Sequence, residues 1–366
     1  MKLFAVVPPG LEALALEELQ ELGLRGVAEE GGVAFEGALE ELYRVHLYAR
    51  LPSRILVRLG NARAHSLASL ADGLRPLPWR RFVHPGQKVQ LHVSTHGKKS
   101  LRKDLVVRKA QYAIADALRK GRRPRRGPTE EAGVWIRIVG DRAEISMDAS
   151  GDHLHRRGWA THRTEAPLRE NLAAAVLRGC GWEPGLPLVD PMCGSGTLLL
   201  EAATLVSGVA AGSRRSFAFE GWPCHTPEVW RALKGRPTPL DVPAGFWGSD
   251  RDPRGVDAAR ANAKRAGVDL ALEVCDVADR HPPLDDVGWV ITNPPYGQRI
   301  GRGREKAVLQ RLGRVLLERF RGWGVAVVLP DHLVRHVGLP LETVLRFRNG
   351  GLKVVVAAGI VPEHPA

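Results

Sequence analysis

The chain has 366 residues, 44% hydrophobic, 25% charged and 6% aromatic, a globular composition with material for more than one core, neither fibrous nor disordered. Lysine and arginine exceed aspartate and glutamate by 13, so the field of the whole molecule favours polyanions, nucleic acid above all. Cys180, Cys193, Cys224 and Cys275 form no C-x-x-C pair, which excludes a disulfide framework and a zinc knuckle.

In chain order, Met1 to Pro9 is too short for a secretory or membrane segment, and no apolar run reaches the roughly 18 residues of a span. The expectation is a soluble, cytoplasmic protein with reduced thiols. Leu3 to Val7 reads as a strand, Leu11 to Leu22 as a helix, Val33 to Phe35 as a strand, Leu39 to Leu47 as a second helix and Arg54 to Leu59 as a strand. This predicts a small α/β unit, an antiparallel sheet with helices on one side. From Pro76 to Met147 the strands Val89–Val93, Val134–Val139 and Arg142–Met147 surround a helix from Leu105 to Leu118. Lys98, Lys99, Arg102, Lys103, Arg108, Lys109, Arg119, Lys120, Arg122, Arg123, Arg125 and Arg126 crowd that region against only Asp104 and Asp116. Such imbalance is better explained by phosphate contacts than by a solvated face.

Residues Gly151 to Thr164 read as a polar, His- and Arg-rich connector, and a helix begins near Pro167 with Leu168, Leu172, Ala175 and Val176 on one face. Strands and helices then alternate: Leu186–Val189, Leu198–Val206, Phe246–Ser249, Val256–Ala266, Leu270–Cys275, Val287–Thr292, Val308–Phe320, Val325–Leu329 and Lys353–Val356. Short apolar strands separated by helices predict a doubly wound, mostly parallel α/β sheet. Ser213 to Ala244 has no clear period and is expected to be an insertion on the sheet edge.

Three signals fall where that sheet's strands end. Asp190-Pro191-Met192-Cys193-Gly194-Ser195-Gly196-Thr197 leaves a strand and opens a helix; Gly194 and Gly196 permit the bend, and helix-start amides favour an anion. It is no P-loop, for Thr197 stands where lysine is needed, and it lacks the third glycine of the dinucleotide fingerprint. Asp250 ends the next strand, with Arg251 after it, in the place of a ribose acceptor. Asp276 ends the following strand and could accept from an adenine amine; helix capping is the alternative for these acids and for Asp252. Together they describe a site for an adenosine carrying an amino-acid carboxylate.

Asn293-Pro294-Pro295-Tyr296 then comes off the strand Val287–Thr292. The Asn293 side-chain oxygen and the Pro294 carbonyl are two acceptors suited to both hydrogens of a planar NH2. Proline rings fix φ and pre-aim them, and Tyr296 offers a face on which a base can stack. His153 with His155, and His332 with His336, lack cysteine or carboxylate partners, so no metal site is predicted. Gly194-Ser195-Gly196 does not have serine-nucleophile spacing.

These motifs, with Pro9-Gly10-Leu11-Glu12, Arg156-Arg157-Gly158-Trp159, Ala166-Pro167-Leu168, Gly248-Ser249-Asp250, Gly297 after Tyr296, and Asn349-Gly350-Gly351-Leu352, make the chain resemble THUMP-domain RNA methyltransferases, among them tRNA guanine N(2)-methyltransferases. The resemblance runs nearly end to end. It implies a ferredoxin-like module at 1–65, a THUMP-like RNA-binding domain at 66–150, a linker at 151–166 and a Rossmann-like methyltransferase domain at 167–366. The cofactor would be S-adenosylmethionine, held by Pro167, Leu168, Asp190, Cys193, Gly194, Ser195, Gly196, Thr197, Asp250, Arg251, Asp276 and Asn293. Asn293, Pro294, Pro295 and Tyr296 would hold a flipped guanine for direct methyl displacement. The substrate implied is a tRNA, bound as a monomer through its acceptor stem and CCA end, methylated at nucleotide six to N(2)-methylguanosine. RNA contacts would fall on Lys98, Lys99, Arg102, Lys103, Arg108, Arg122 and Arg123. Ribosomal RNA guanine, DNA adenine or protein glutamine, and a non-catalytic RNA-binding role, stand as alternatives.

Overall fold

A computed structural model describes residues 1–97, 101–119, 130–162, 168–235, 245–296 and 304–363. The N-terminal half runs β1 (Lys2–Val6), α1 (Glu12–Glu21), β2 (Gly26–Glu29), β3 (Gly32–Glu36), α2 (Leu39–Tyr48), β4 (Arg54–Arg63), α3 (Leu67–Leu74), β5 (Val89–His96), α4 (Lys103–Arg119), β6 (Ala132–Val139) and β7 (Arg142–Asp148). Its strands form one seven-stranded sheet in the order β2-β3-β1-β4-β7-β6-β5. β4 pairs with β1 along its first half and with β7 along most of its length, so the two units expected at 1–65 and 66–150 share a strand. Cross-strand register puts Leu3 opposite Val57, Val57 opposite Met147 and Met147 opposite Val134. All four are buried, and period-two alternation therefore gives the whole sheet a single core face.

The C-terminal half runs α5 (Glu170–Gly179), β8 (Leu188–Asp190), α6 (Thr197–Val206), α7 (Pro227–Lys234), β9 (Phe246–Asp250), α8 (Pro253–Ala266), β10 (Ala271–Val274), β11 (Trp289–Thr292), α9 (Arg304–Arg319), β12 (Gly324–Leu329), β13 (Glu342–Asn349) and β14 (Leu352–Ile360). Strand order is β10-β9-β8-β11-β12-β14-β13. The first five are parallel, and β14 and β13 close the sheet antiparallel. β13 has an alternating, half-exposed pattern that the reading of the sequence missed; it forms because β14 supplies a paired edge and Gly350 and Gly351, at φ of 56° and 88°, turn the hairpin. Chain order reverses between β8 and β11, the switch point at whose carboxyl edge ligands bind in doubly wound sheets.

Two expectations are corrected at the junction of the halves. The stretch from Gly151 is no free polar connector, for Leu154, Arg157 and Trp159 are buried. Arg157 donates to Glu201 of α6 (3.2 Å) and to the carbonyls of Leu154 and Arg50 (2.9 and 2.6 Å). Arg50 reaches the same carboxylate at 3.1 Å, Thr204 Oγ1 at 3.0 Å and the Val209 carbonyl at 2.8 Å. Two guanidiniums and a carboxylate thus share a buried site, tolerable because nearly every donor finds an acceptor. The described part of the insertion leaves the sheet edge and lies on α2. Phe217 and Phe219 pack on His46 with centroids at 5.0 and 4.9 Å, and Trp230 lies 5.6 Å from Tyr43. At Gly212 a β-carbon would stand 2.2 Å from the His46 carbonyl oxygen, so only glycine fits this approach.

His46 is fully buried in this contact. Its Nδ1 donates to the Leu42 carbonyl (2.7 Å) and its Nε2 accepts from Ser150 Oγ (3.0 Å), which in turn accepts from the Ile55 amide. Burial pulls its pKa down from 6.5 to about 3. Above pH 6.5 the ring is neutral folded and unfolded; below it the unfolded chain alone takes up the proton. Thermal stability is expected to decline as pH falls from 6.5 toward 3, and less so in His46→Gln. Parallel pH profiles of the two proteins, read by scanning calorimetry, would contradict this.

Candidate active site

The carboxyl ends of β8, β9, β10 and β11 are knitted together by hydrogen bonds from the loops they carry. After β8 the chain turns through Gly194 (φ 50°) and Gly196 (φ 82°), a conformation glycine adopts freely, and Gly196 caps α6. The Cys193 amide donates to the Ser249 carbonyl (2.9 Å), the Gly194 amide to Asp250 Oδ2 (2.9 Å) and the Gly196 amide to the Cys193 carbonyl (2.8 Å). Three loop amides are thus spent on shaping the loop itself. Asp250 Oδ1 accepts from the Asp252 amide at 2.9 Å, and the Cys275 amide donates to the Asp250 carbonyl. Asp250 therefore joins three strand ends. Capping falls to its neighbour, Asp252, which starts α8 by accepting from the Arg254 amide at 3.0 Å. Asp276 likewise caps a short 3-10 turn, its Oδ1 accepting from the Ala278 amide at 2.9 Å, and the same oxygen lies 3.6 Å from Arg311.

These residues surround a small open cleft lined by Pro191, Met192, Asp250, Arg251, Asp276, Val277, Pro295, Val308 and Arg311. Asp250, Arg251 and Asp276 stand there as the sequence reading placed them. Met192, Val277, Val308 and Arg311 were not foreseen. Val308 and Arg311 lie one turn apart on α9, where the sequence shows only an amphipathic helix. Asp190 sits deeper, 2% exposed, accepting from Thr292 Oγ1 at 2.7 Å and the Met192 amide at 3.1 Å. Burial raises its pKa to about 7 against those hydrogen bonds, and the Asp250 charge adds to the rise. Ser195 is buried, its carbonyl accepting from Asn262 Nδ2 at 3.2 Å. Cys193 is buried too, which pushes its thiol well above the ordinary range, so it packs and does not attack. Thr197 opens α6 and Leu168 is buried; Pro167 lies outside the described residues.

The Thr292 to Asp190 bond fixes the end of β11 beside the glycine loop, with Asn293 next and Pro295 of the cleft wall two residues further on. Asn293 Oδ1 is buried and has no hydrogen-bond donor among the described residues. A buried acceptor without a donor costs about 1–3 kcal/mol, a cost that a donor on a bound ligand would relieve. Pro294 is buried and Pro295 half-buried. Tyr296 departs from expectation: its ring is 4% exposed and Asn349 Nδ2 donates to its hydroxyl at 3.1 Å. It presents no open stacking face here, because a buried phenol seeks a polar partner and the β13–β14 hairpin supplies one. What the ring offers is an anchor for the Pro-Pro turn.

The cationic cluster is seen in part. Arg102, Lys103 and Arg108 are exposed, Arg102 pairing with Asp104 at 2.9 Å, while Lys98, Lys99, Arg122 and Arg123 lie outside the described residues. Among the described residues no group of three or more His, Cys, Asp or Glu could hold a metal, and no helix is long and apolar enough to cross a membrane.

Residues 157–337, which hold this whole edge, match the family model described as RMKL-like, methyltransferase domain. The site is that of a methyltransferase domain. Residues 2–56 match the RlmL ferredoxin-like domain. Among solved structures the chain is similar to a candidate methyltransferase crystallised with S-adenosylhomocysteine (28% identity, 100% of this chain and 99% of that one, TM-score 0.88). It is also similar to a predicted N6-adenine-specific DNA methylase from Listeria monocytogenes (26%, 99% and 96%, TM-score 0.85). TrmN from Thermus thermophilus shares the fold (22%, 98% of both chains, TM-score 0.70). The methyltransferase domain includes Arg157, Trp159 and the Ser213–Lys234 stretch that docks on α2, so the match reaches back into the segment expected to be a linker.

Proposed function

We propose that this protein methylates the exocyclic amine of a guanine in tRNA, using S-adenosylmethionine and giving N(2)-methylguanosine, with nucleotide six of the acceptor stem as the position the family resemblance favours. The observation that carries the reaction type is Asn293 Oδ1, a buried acceptor without a donor among the described residues, two positions before Pro295 of the cleft wall.

The cleft residues fit the cofactor by chemistry. Asp250 and Asp276 each keep free lone pairs after their backbone bonds, enough for ribose hydroxyls and an adenine amine. Met192, Val277 and Val308 provide apolar walls for a flat ring, and the amides at the start of α6 suit a carboxylate. When bound, S-adenosylmethionine supplies an electrophilic methyl on sulfur. Asn293 Oδ1 and the Pro294 carbonyl accept the two amine hydrogens and aim the nitrogen, while Pro295 and the anchored Tyr296 keep both acceptors in place. Transfer then depends on alignment. The methylated nitrogen is acidic and gives up its proton to water, so no nucleophilic cysteine and no titrating base are required.

The net charge of +13 and the cations of α4 support a nucleic-acid substrate, and the end-to-end resemblance supports tRNA. A labelled methyl donor offered with separate pools of tRNA, ribosomal RNA and DNA tests this; label in tRNA, recovered as N(2)-methylguanosine, is the expected result. Label in ribosomal RNA or in DNA adenine would overturn the substrate and keep the amine.

Asp250→Ala removes a proposed ribose acceptor together with the acceptor for the Gly194 and Asp252 amides. Cofactor affinity by titration calorimetry is expected to fall about 10- to 100-fold, as for loss of charged hydrogen bonds. Unchanged affinity would remove Asp250 from the binding site.

A further inference from the structure

At the switch point the sheet parts. The paired register between β8 and β11 covers only Leu188 with Trp289 and Val189 with Val290. Beyond it, β8 pairs Asp190 with Gly248 of β9, and β11 pairs Thr292 with Val327 of β12. The two strand ends that flank the cleft therefore lean on different neighbours. A side-chain bond crosses the gap: Thr292 Oγ1 donates to Asp190 Oδ1 at 2.7 Å, with Thr292 wholly buried and Asp190 nearly so. The same oxygen accepts from the amide of Met192, a residue of the cleft wall, at 3.1 Å. A single carboxylate oxygen thus ties the strand that delivers Asn293 to the loop that borders the cleft.

The far end of the turn is held in the same manner. Buried Tyr296 takes a hydrogen bond on its hydroxyl from Asn349 Nδ2 at 3.1 Å. Asn349, also buried, is the last residue of β13, which β14 fastens to β12. Between the two anchors lie Asn293, Pro294 and Pro295, and two of those three have φ fixed by their rings. Out of reach of water, each bond holds its geometry more firmly than an exposed one would. Methyl transfer by alignment needs such restraint, because a displacement of about 1 Å costs on the order of a hundredfold in rate.

We infer that Thr292 and Asn349 are positioning residues for methyl transfer, two anchors that act through Asn293 and Tyr296 and hold the amine acceptors at a fixed distance from the cleft. The inference rests on the amine-acceptor reading of Asn293 above and adds the residues that aim it. Neither anchor need touch the substrate. A threonine or asparagine that only satisfied its own hydrogen bond would contribute to folding and leave the rate of the bound complex alone.

Full-length wild type, Thr292→Val, Asn349→Leu and the double variant would be compared in transfer from labelled S-adenosylmethionine to the pool, tRNA, ribosomal RNA or DNA, that the wild type labels. Each single variant is expected to lower kcat about tenfold, while KM for the nucleic acid and the cofactor Kd stay within about threefold. Thr292→Ser, which keeps the hydroxyl, should transfer as wild type does. The double variant should be little slower than the slower single one, since releasing either end frees the same turn. Hydrogen exchange in the ligand-free protein, read by mass spectrometry on the peptide carrying the Asn293 and Tyr296 amides, should quicken in Thr292→Val and Asn349→Leu and not in Thr292→Ser. A kcat within about twofold of wild type, or a loss confined to KM and Kd, would overturn the positioning role. Losses that multiply in the double variant would overturn the shared unit. Should Thr292→Val fail to fold, Asn349→Leu, at a strand end, carries the same test. If the wild type labels no pool, the functional reading falls, and exchange then decides the anchors alone: unchanged exchange in both variants overturns them.

Discussion

Asn293→Ala is expected to lower methyl transfer by a hundredfold to a thousandfold, the scale set by losing one pre-aimed polar group at a reacting centre, while cofactor affinity stays within about twofold. The same change should leave the melting temperature of the ligand-free protein unchanged or raise it. A side-chain oxygen buried without a donor contributes a desolvation cost to the fold and no bond, so removing it removes a penalty. An ordinary structural asparagine behaves in the opposite way, losing stability with its hydrogen bonds. Asn293→Asp keeps an acceptor at the same place and should recover part of the rate, increasingly so at higher pH as the carboxylate ionises. Single-turnover kinetics with saturating cofactor, alongside calorimetry, separates these. A variant that melts several degrees lower with turnover intact would assign Asn293 to the scaffold.

Glu201→Gln should be the most damaging single substitution at the junction of the two halves. The carboxylate is 1% exposed and receives both Arg50 and Arg157. An amide there leaves two buried guanidiniums with no countercharge, a loss of about 3–5 kcal/mol for a broken buried pair. Glu18 cannot take over, for it spends its oxygens on the Arg50 and Leu51 amides, and burial already raises its pKa. Pairing Glu201→Gln with Arg157→Met should recover part of the loss, since an uncharged side chain of similar volume relieves one buried cation. Urea denaturation of the three proteins measures this. A single variant within about 0.5 kcal/mol of wild type would show that water reaches the site.

The carboxyl-edge residues were legible because their chemistry is local: a glycine turn needs glycines, a strand-end acid needs to be an acid, and Asn-Pro-Pro-Tyr is contiguous. Asp250, Asp276 and Asn293 accordingly lie where the strand endings put them. What the chain concealed depends on partners distant in sequence. Arg157 reads as a surface cation because arginine is rarely fully buried; only Glu201, 44 residues on, makes its burial tolerable. Tyr296 reads as a platform until Asn349 is seen 53 residues away donating to its hydroxyl. The stretch from Ser213 carries aromatic residues without a period because its partner, α2, lies in the other half of the molecule. β13 escaped notice because its exposed alternation has meaning only beside β14.

β4 belongs to two sheets' worth of hydrogen bonds, holding β1 on one edge and β7 on the other. A hinge there would have to break a ladder, so the strands on either side of β4 are carried on one frame. Cutting the chain between residues 65 and 66 would expose one whole edge of β4, so neither half of this sheet is a removable module.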